Sequence, residues 1–204
     1  MIRLKIENRV EKRIKTFKRG KIFFAQDLFD YGNAGTINKA LYRLNEKGVL
    51  IRIAHGIYLY PKKDKILGTI HPSIEEVVNA VALRDRARII PTGISALNRL
   101  GLSTQVPMNL VYLTDGIDRM IKIGGFKIKF KKSAPRNFAM IGEISGLVIQ
   151  ALKSIGKSNV TEEDLEKIND LLKLEKAENI KNDAKLAPVW IRNILLGKVF
   201  ESNL

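Results

Sequence analysis

The chain of 204 residues has no cysteine, which excludes disulfides and thiolate metal sites. It has two histidines, His55 and His71, too few for a histidine-based zinc centre. No apolar run approaches the roughly 18 residues that a membrane-spanning helix needs. The first fifteen residues are basic, but Glu7 and Glu11 interrupt them and no signal-peptide core follows. The expected location is therefore cytoplasmic, or with DNA, and no membrane partner is expected. The GxxxxGKS/T phosphate loop, the HExxH zinc motif and the GxSxG elbow are missing too; Gly93-Ile94-Ser95 continues into Ala96-Leu97. Two-metal hydrolysis needs several converging carboxylates. No acid lies between Asp118 and Glu143, and Asp115-Gly116 reads as a turn. The expectation is a protein that is not an enzyme and holds no cofactor and no metal.

What is abundant is positive charge. Lys and Arg number 36 against 21 Asp and Glu, a formal net charge of +15, which points to a polyanionic partner. Residues 1–65 hold 16 of the cations against 6 acids, so the first third of the chain supplies most of the field. The plain alternative is a lysine-rich surface that serves solubility alone. With 45% hydrophobic residues, the length suits one or two globular domains with real cores.

Ile6, Val10, Ile14 and Phe17 predict an amphipathic helix over residues 4–18, with Arg9, Lys12, Arg13 and Lys15 either along a phosphate backbone or simply solvated. A short helix, Ala25 to Tyr31, is expected to pack through Phe24, Leu28 and Phe29. The turn Gly32 to Gly35 follows, and Thr36 sits where an N-cap hydroxyl is wanted. From Thr36 to Lys47, Ile37, Ala40, Leu41 and Leu44 share one helical face. The opposite face carries Lys39, Tyr42, Arg43 and Glu46. Val49–Ile53 and Ile57–Tyr60 have strand composition, with Ala54-His55-Gly56 reversing the chain. Two helices, a short turn and a hairpin make the layout of a winged helix-turn-helix, whose second helix enters the major groove.

On that reading the DNA-contacting residues are Thr36, Asn38, Lys39, Tyr42, Arg43, Arg52 and His55. Lys39 and Arg43, four apart, reach one groove together. Arg43 offers a fork to guanine, and Asn38 pairs with adenine or bonds a phosphate. Tyr42 touches the sugar-phosphate chain or covers the core edge. Arg52 and His55 belong to the hairpin, where a lone histidine is also often just solvated.

Residues 62–69 read as a basic linker between a winged domain, 1–65, and a second domain, 66–204. Ser73 and Glu76 form a capping box ahead of a helix that buries Ile74, Val77, Val78, Val81 and Ala82. Thr92 is expected to cap a helix over 93–100. Strands at 88–90, 109–113, 120–123 and 126–131 predict a small antiparallel sheet over about 88–131. Helices follow over about 138–200, namely 138–155, 161–174 behind a Thr161/Asp164 capping box, 176–185 and 188–199. The expected fold class is α+β: an N-terminal winged helix-turn-helix, then an α+β domain with a small antiparallel sheet and a helical C-terminal part. From Arg119 to Arg136, both included, there are seven basic residues and no acid, and Lys127, Lys129 and Lys131 alternate with Phe126, Ile128 and Phe130. With Arg119, Lys122 and Lys132 they make a second basic surface, for a polyanion or acidic partner, or else as a guard against edge pairing.

Two stretches, ALYRLNEKGVLIRIAHGIYLYP at 40–61 and TGISALNRLGLSTQVPMNLVYLTDGIDRMIKIGGFKIKFKKSAPRNF at 92–138, carry a likeness to a known family. With the helical tail, the chain resembles the AbiE-type antitoxins over nearly its whole length. These are transcriptional regulators of type IV toxin–antitoxin (abortive infection) operons. The resemblance implies a winged helix that binds double-stranded operator DNA and represses its own operon, and a second domain that counteracts a cognate nucleotidyltransferase toxin. It implies base readout by residues 36–43, a wing with Arg52 and His55, and a DNA-binding or antitoxic role for the 119–136 patch. The alternative is a winged-helix regulator whose second domain binds a ligand or oligomerises, with no toxin partner. The adjacent reading frame discriminates the two.

Overall fold

Val10 and Ile14, one turn apart, bury one side of α1 (Ile6–Lys15). The structure, a computed structural model, describes residues 6–201, with side chains as far as residue 197. Residues 4 and 5 of the expected first helix lie outside the described residues. The helix ends before the expected residue 18. Thr16 Oγ1 donates to the Arg13 carbonyl, and Phe17 turns its ring against Phe23, centroids 5.4 Å apart. β1 (Ile22–Phe24) leads into a 3-10 turn over Ala25–Tyr31, where the Asp27 carboxylate accepts from the Phe24 N–H at 2.9 Å. Leu28 is buried there, but Phe29, expected inside, is exposed.

α2 (Ala34–Glu46) starts earlier than expected. Asn33, not Thr36, is its cap, with Oδ1 accepting from the Thr36 N–H at 2.9 Å. Ile37, Ala40, Leu41 and Leu44 are its buried residues, as their spacing predicts. β2 (Ile51–Ala54) and β3 (Ile57–Leu59) form an antiparallel hairpin, and β3 takes the centre of a sheet ordered β1-β3-β2. Gly56, at φ 71°, supplies the left-handed residue of the reversal.

The expected linker is a second hairpin, β4 (Lys62–Asp64) paired with β5 (Gly68–Ile70). α3 (Ile74–Asp85) follows its predicted capping box: the Ser73 N–H donates to Glu76 at 2.7 Å and the Glu76 N–H to Ser73 Oγ at 3.2 Å. The chain divides into two compact units, residues up to 84 with 121–124, and 85–120 with the residues from 125 on. The first unit therefore runs past residue 65 to take in β4, β5 and most of α3.

In the second sheet, β6 (Ile89–Pro91), β7 (Asn109–Thr114), β8 (Arg119–Ile123) and β9 (Phe126–Lys132) stand in the order β6-β7-β9-β8. The expected antiparallel sheet is mixed: β7 and β9 run parallel, from Asn109 beside Lys127 to Thr114 beside Lys132. Gly124-Gly125 turns β8 tightly into β9, so β9 returns between its own hairpin partner and β7. α4 (Ile94–Arg99) has Gly93 at its cap position rather than Thr92, whose hydroxyl donates to the Val111 carbonyl at 2.9 Å.

Four helices complete the α+β arrangement: α5 (Glu143–Ile155), α6 (Glu162–Leu172), α7 (Ala177–Leu186) and α8 (Val189–Glu201). α5 begins later than expected, because Pro135–Phe138 closes into a 3-10 turn. The Thr161/Asp164 box opens α6 as predicted. Val148, Ile149, Ala151 and Leu152 of α5 pack among Ile168, Leu172, Ile180, Ala184, Ile191 and Leu195. Gly142, Ser145 and Gly146 at the start of α5 are buried, so free N–H groups there need protein acceptors. The fully buried Asp183 of α7 accepts from the Ile141 N–H at 2.9 Å, the Gly142 N–H at 3.0 Å and Ser145 Oγ at 2.6 Å. Glu175 accepts from the Ile144 N–H at 3.0 Å.

Asp183→Ala strips four donors of their acceptor, the Ile141 and Gly142 N–H groups, the Ser145 hydroxyl and the Asn182 amide, and should lower the unfolding free energy by about 2–5 kcal/mol in denaturant titration; Ser145→Ala should cost less. Burial pushes the Glu175 carboxyl up, but bonds from Asn179 and from the Ile144 and Lys176 N–H groups outweigh it and hold the group below its ordinary value. Its contribution is full above the ordinary glutamate value and is lost as pH falls through the lowered one. Glu175→Gln should therefore flatten the acid limb of stability against pH.

Candidate nucleic-acid interface

With its aliphatic side packed inward, α2 turns Asn38, Lys39, Tyr42, Arg43 and Glu46 to solvent, all of them exposed. Its 13 residues span about 20 Å at 1.5 Å per residue.

On the side facing the hairpin, Asn38, Tyr42 and Asn45 form one wall of an open groove of about 300 Å³. Arg52, His55, Gly56 and Tyr58 form the other. Tyr42 is 64% exposed at its rim. Arg52 Nη2 lies 3.2 Å from His55 Nδ1. A guanidinium only donates, so in this contact Nδ1 can only accept. Asn45 Oδ1 accepts from the Arg52 N–H at 2.9 Å and ties the last turn of α2 to β2, which sets the width of the groove. Burial pushes the Tyr58 hydroxyl above its ordinary value, with the Arg52 charge opposing. Asn45 and Tyr58 are site residues that the sequence reading missed. Asn45 lies seven residues, two turns, beyond Asn38, and that spacing was a usable signal. Tyr58 sits on a strand buried on both faces, where alternation carries no information.

Lys39 is exposed in the middle of the outer face, and among the described residues it has no ion-pair partner. Thr36 is half-buried at the first turn and donates its hydroxyl proton to Asn33 Oδ1 at 2.9 Å, so only its lone pairs remain for a ligand.

On the side facing α1, Arg43 and Lys47 converge on Glu7. Arg43 Nη1 lies 3.3 Å and Lys47 Nζ 2.5 Å from its carboxylate. The bond from Lys47, against an opposing push from burial and together with the bond from Arg43, holds the Glu7 carboxyl below its ordinary range. The cations of α1 are partly engaged as well. Arg9 and Arg13 lie over the rings of Tyr31 and Phe17, and Lys15 pairs with Glu11.

The second basic surface is smaller than expected. Lys127, Lys129 and Lys131 project from one face of β9, opposite the buried Ile128 and Phe130, and form no ion pair among the described residues. Lys122 is exposed on β8. Lys132 is exposed at the end of β9, its N–H donating to Asp118 at 3.3 Å. Arg119 does not belong to this surface. It is ion-paired with Asp85, lies over the Phe130 ring at 6.0 Å, and its side chain is 22% exposed. It stands across the hairpin from Phe130, so strand parity sends it to the inward face.

Asp115 is engaged by Arg88, through the N–H and through Nε at 2.7 Å each, and the side-chain bond leads in holding its carboxyl below the ordinary value. Among the described residues no group of three or more His, Asp or Glu is placed to hold a metal ion, and no helix is long and apolar enough to cross a membrane.

No curated protein matches the chain by sequence. A solved structure, the crystal structure of RV2827C protein from Mycobacterium tuberculosis, is similar over 95% of this chain and 81% of that chain, with 14% identity and a TM-score of 0.46. The model of DUF6088, a family of unknown function, matches residues 9–180, and the chain belongs to that family.

Proposed function

We propose that the first unit is a winged helix-turn-helix that binds duplex DNA. The protein on this reading is a DNA-binding antitoxin of the AbiE type, which represses its own operon and counteracts a nucleotidyltransferase toxin. The observation that carries the DNA half is the exposed row Asn38, Lys39 and Tyr42, opening onto the groove walled by Arg52 and His55. A helix about 20 Å long crosses a major groove about 12 Å wide with room to spare. Asn38 has the donor and acceptor that an adenine edge asks for, Lys39 is free to meet a phosphate, and Tyr42 offers a ring to the sugars. Arg52 and His55 reach the adjacent backbone from the hairpin.

Arg43 Nη1 is bonded to Glu7, so Glu7 competes with DNA for the same guanidinium. The toxin half is supported by the family likeness of residues 92–138. It is also supported by the unpaired lysines of β9, which suit a polyanion or an acidic protein surface.

The intact protein should bind a duplex from its own upstream region with steep salt dependence. For four to six neutralised phosphates, the slope of log K against log salt is about −4 to −5. Lys39→Ala should weaken binding evenly across sequences and make that slope shallower by about 1. Asn38→Ala should relax sequence preference at a cost of about 1–3 kcal/mol. A slope near zero would contradict the reading. Glu7→Gln frees Arg43 and Lys47 and should tighten duplex binding, measured by fluorescence anisotropy at low salt. Co-expression with an adjacent nucleotidyltransferase-like gene should restore growth; failure to do so removes the antitoxin half and leaves the DNA half standing.

A further inference from the structure

The β4–β5 hairpin has no part in the reading of α2, and its chemistry is unusual. Residues 62–68 are all exposed, and at the tip Ile66 is 93% and Leu67 78% exposed. These two side chains are held there by a built turn. Asp64 Oδ1 accepts from the Ile66 N–H at 2.8 Å and from the Leu67 N–H at 3.0 Å. Those two bonds, the Leu67 one first, against an opposing push from burial and with the Lys62 charge adding to them, keep the Asp64 carboxyl below its ordinary value. Asp64 is the only acid between residues 62 and 70, so the turn itself occupies the one negative group on the arm. Lys62, Lys63 and Lys65 remain as its outward charge, and among the described residues none of them forms an ion pair.

A partner for this arm must meet cations along the stem and take in two aliphatic side chains at the tip. Duplex DNA does both. Its phosphates flank the minor groove, and apolar wedges such as Ile and Leu enter between base pairs there and kink the helix. Each three-residue strand is about 10 Å long, enough to carry the tip past the rim of a groove about 7.5 Å deep. A protein partner fits less well. Two side chains cover far less than the roughly 1,000 Å² that a specific interface needs, and the lysines would require facing acids.

We propose that residues 62–70 are a minor-groove arm, with Lys62, Lys63 and Lys65 on the phosphates and Ile66 and Leu67 wedged into a base step that they bend open. The arm rests on the duplex-binding reading of the first unit.

The test uses the full chain and a duplex from the gene's own upstream region, labelled at both ends for energy transfer. The wild type should bind and shorten the end-to-end distance. I66S/L67S alters exposed side chains and should keep the wild-type Tm. It should nonetheless lose the bend and on the order of tenfold in affinity, with an unchanged salt slope. K62Q/K63Q should reduce the salt slope by about 2 and keep the bend. A tip variant that binds and bends like the wild type overturns the arm. So does a wild-type complex with straight DNA, or a tip variant whose only change is from dimer to monomer. Those results leave duplex binding itself in place, whereas a wild type that binds no duplex overturns that reading and the arm together.

Discussion

Ile37, Leu41 and Leu44 are packed against Val10, Ile14 and Leu28, and that contact sets the rotation of α2 about its own axis. A helix turns by about 100° per residue, so a slip of one position would draw Tyr42 or Asn38 toward the core and send a leucine into water. The side that meets solvent is thus determined from the inside. The groove beside it depends on the same anchoring. Asn45 can hold the Arg52 N–H only while α2 keeps this rotation, and Arg43 and Lys47 meet Glu7 for the same reason.

The second unit meets a different demand. Its central helix, α5, is apolar on most of its circumference, which gives it a core on several sides and buries part of its start. Two carboxylates from later in the chain, Asp183 and Glu175, take the amides there. Polar groups here define where a buried helix begins, while the outward lysines of β9 leave the sheet's other face free to carry charge.

Features encoded over a few neighbouring residues were legible in the sequence. The inward face of α2 repeats at helical spacing, and the Ser73/Glu76 and Thr161/Asp164 boxes are reciprocal pairs three residues apart. What depended on distant partners was not. Glu7 lies 36 residues before Arg43, and nothing local announces their pairing. Strand direction was hidden because alternation along β7 and β9 looks the same whether they run parallel or antiparallel. Asn33 and Thr36 both carry side-chain oxygens suited to capping, and composition does not choose between them. Arg119 was misassigned because a count of charges ignores parity; set against Phe130 across the Gly124-Gly125 turn, its inward direction was readable. The hairpin at 62–70 was missed because Lys-Lys-Asp-Lys has little strand propensity and an Asp-closed turn supplies what the propensity lacks.

The placement of β9 between β7 and β8 bears on how the molecule is made. A ribosome delivers β7 first, yet its parallel neighbour exists only after β8 and the Gly124-Gly125 turn have been synthesised. The β8–β9 ribbon forms from residues close in sequence, and loop-closure entropy favours its forming early. Until it docks, β7 keeps one edge unpaired during translation, and an unpaired strand edge is open to misassociation.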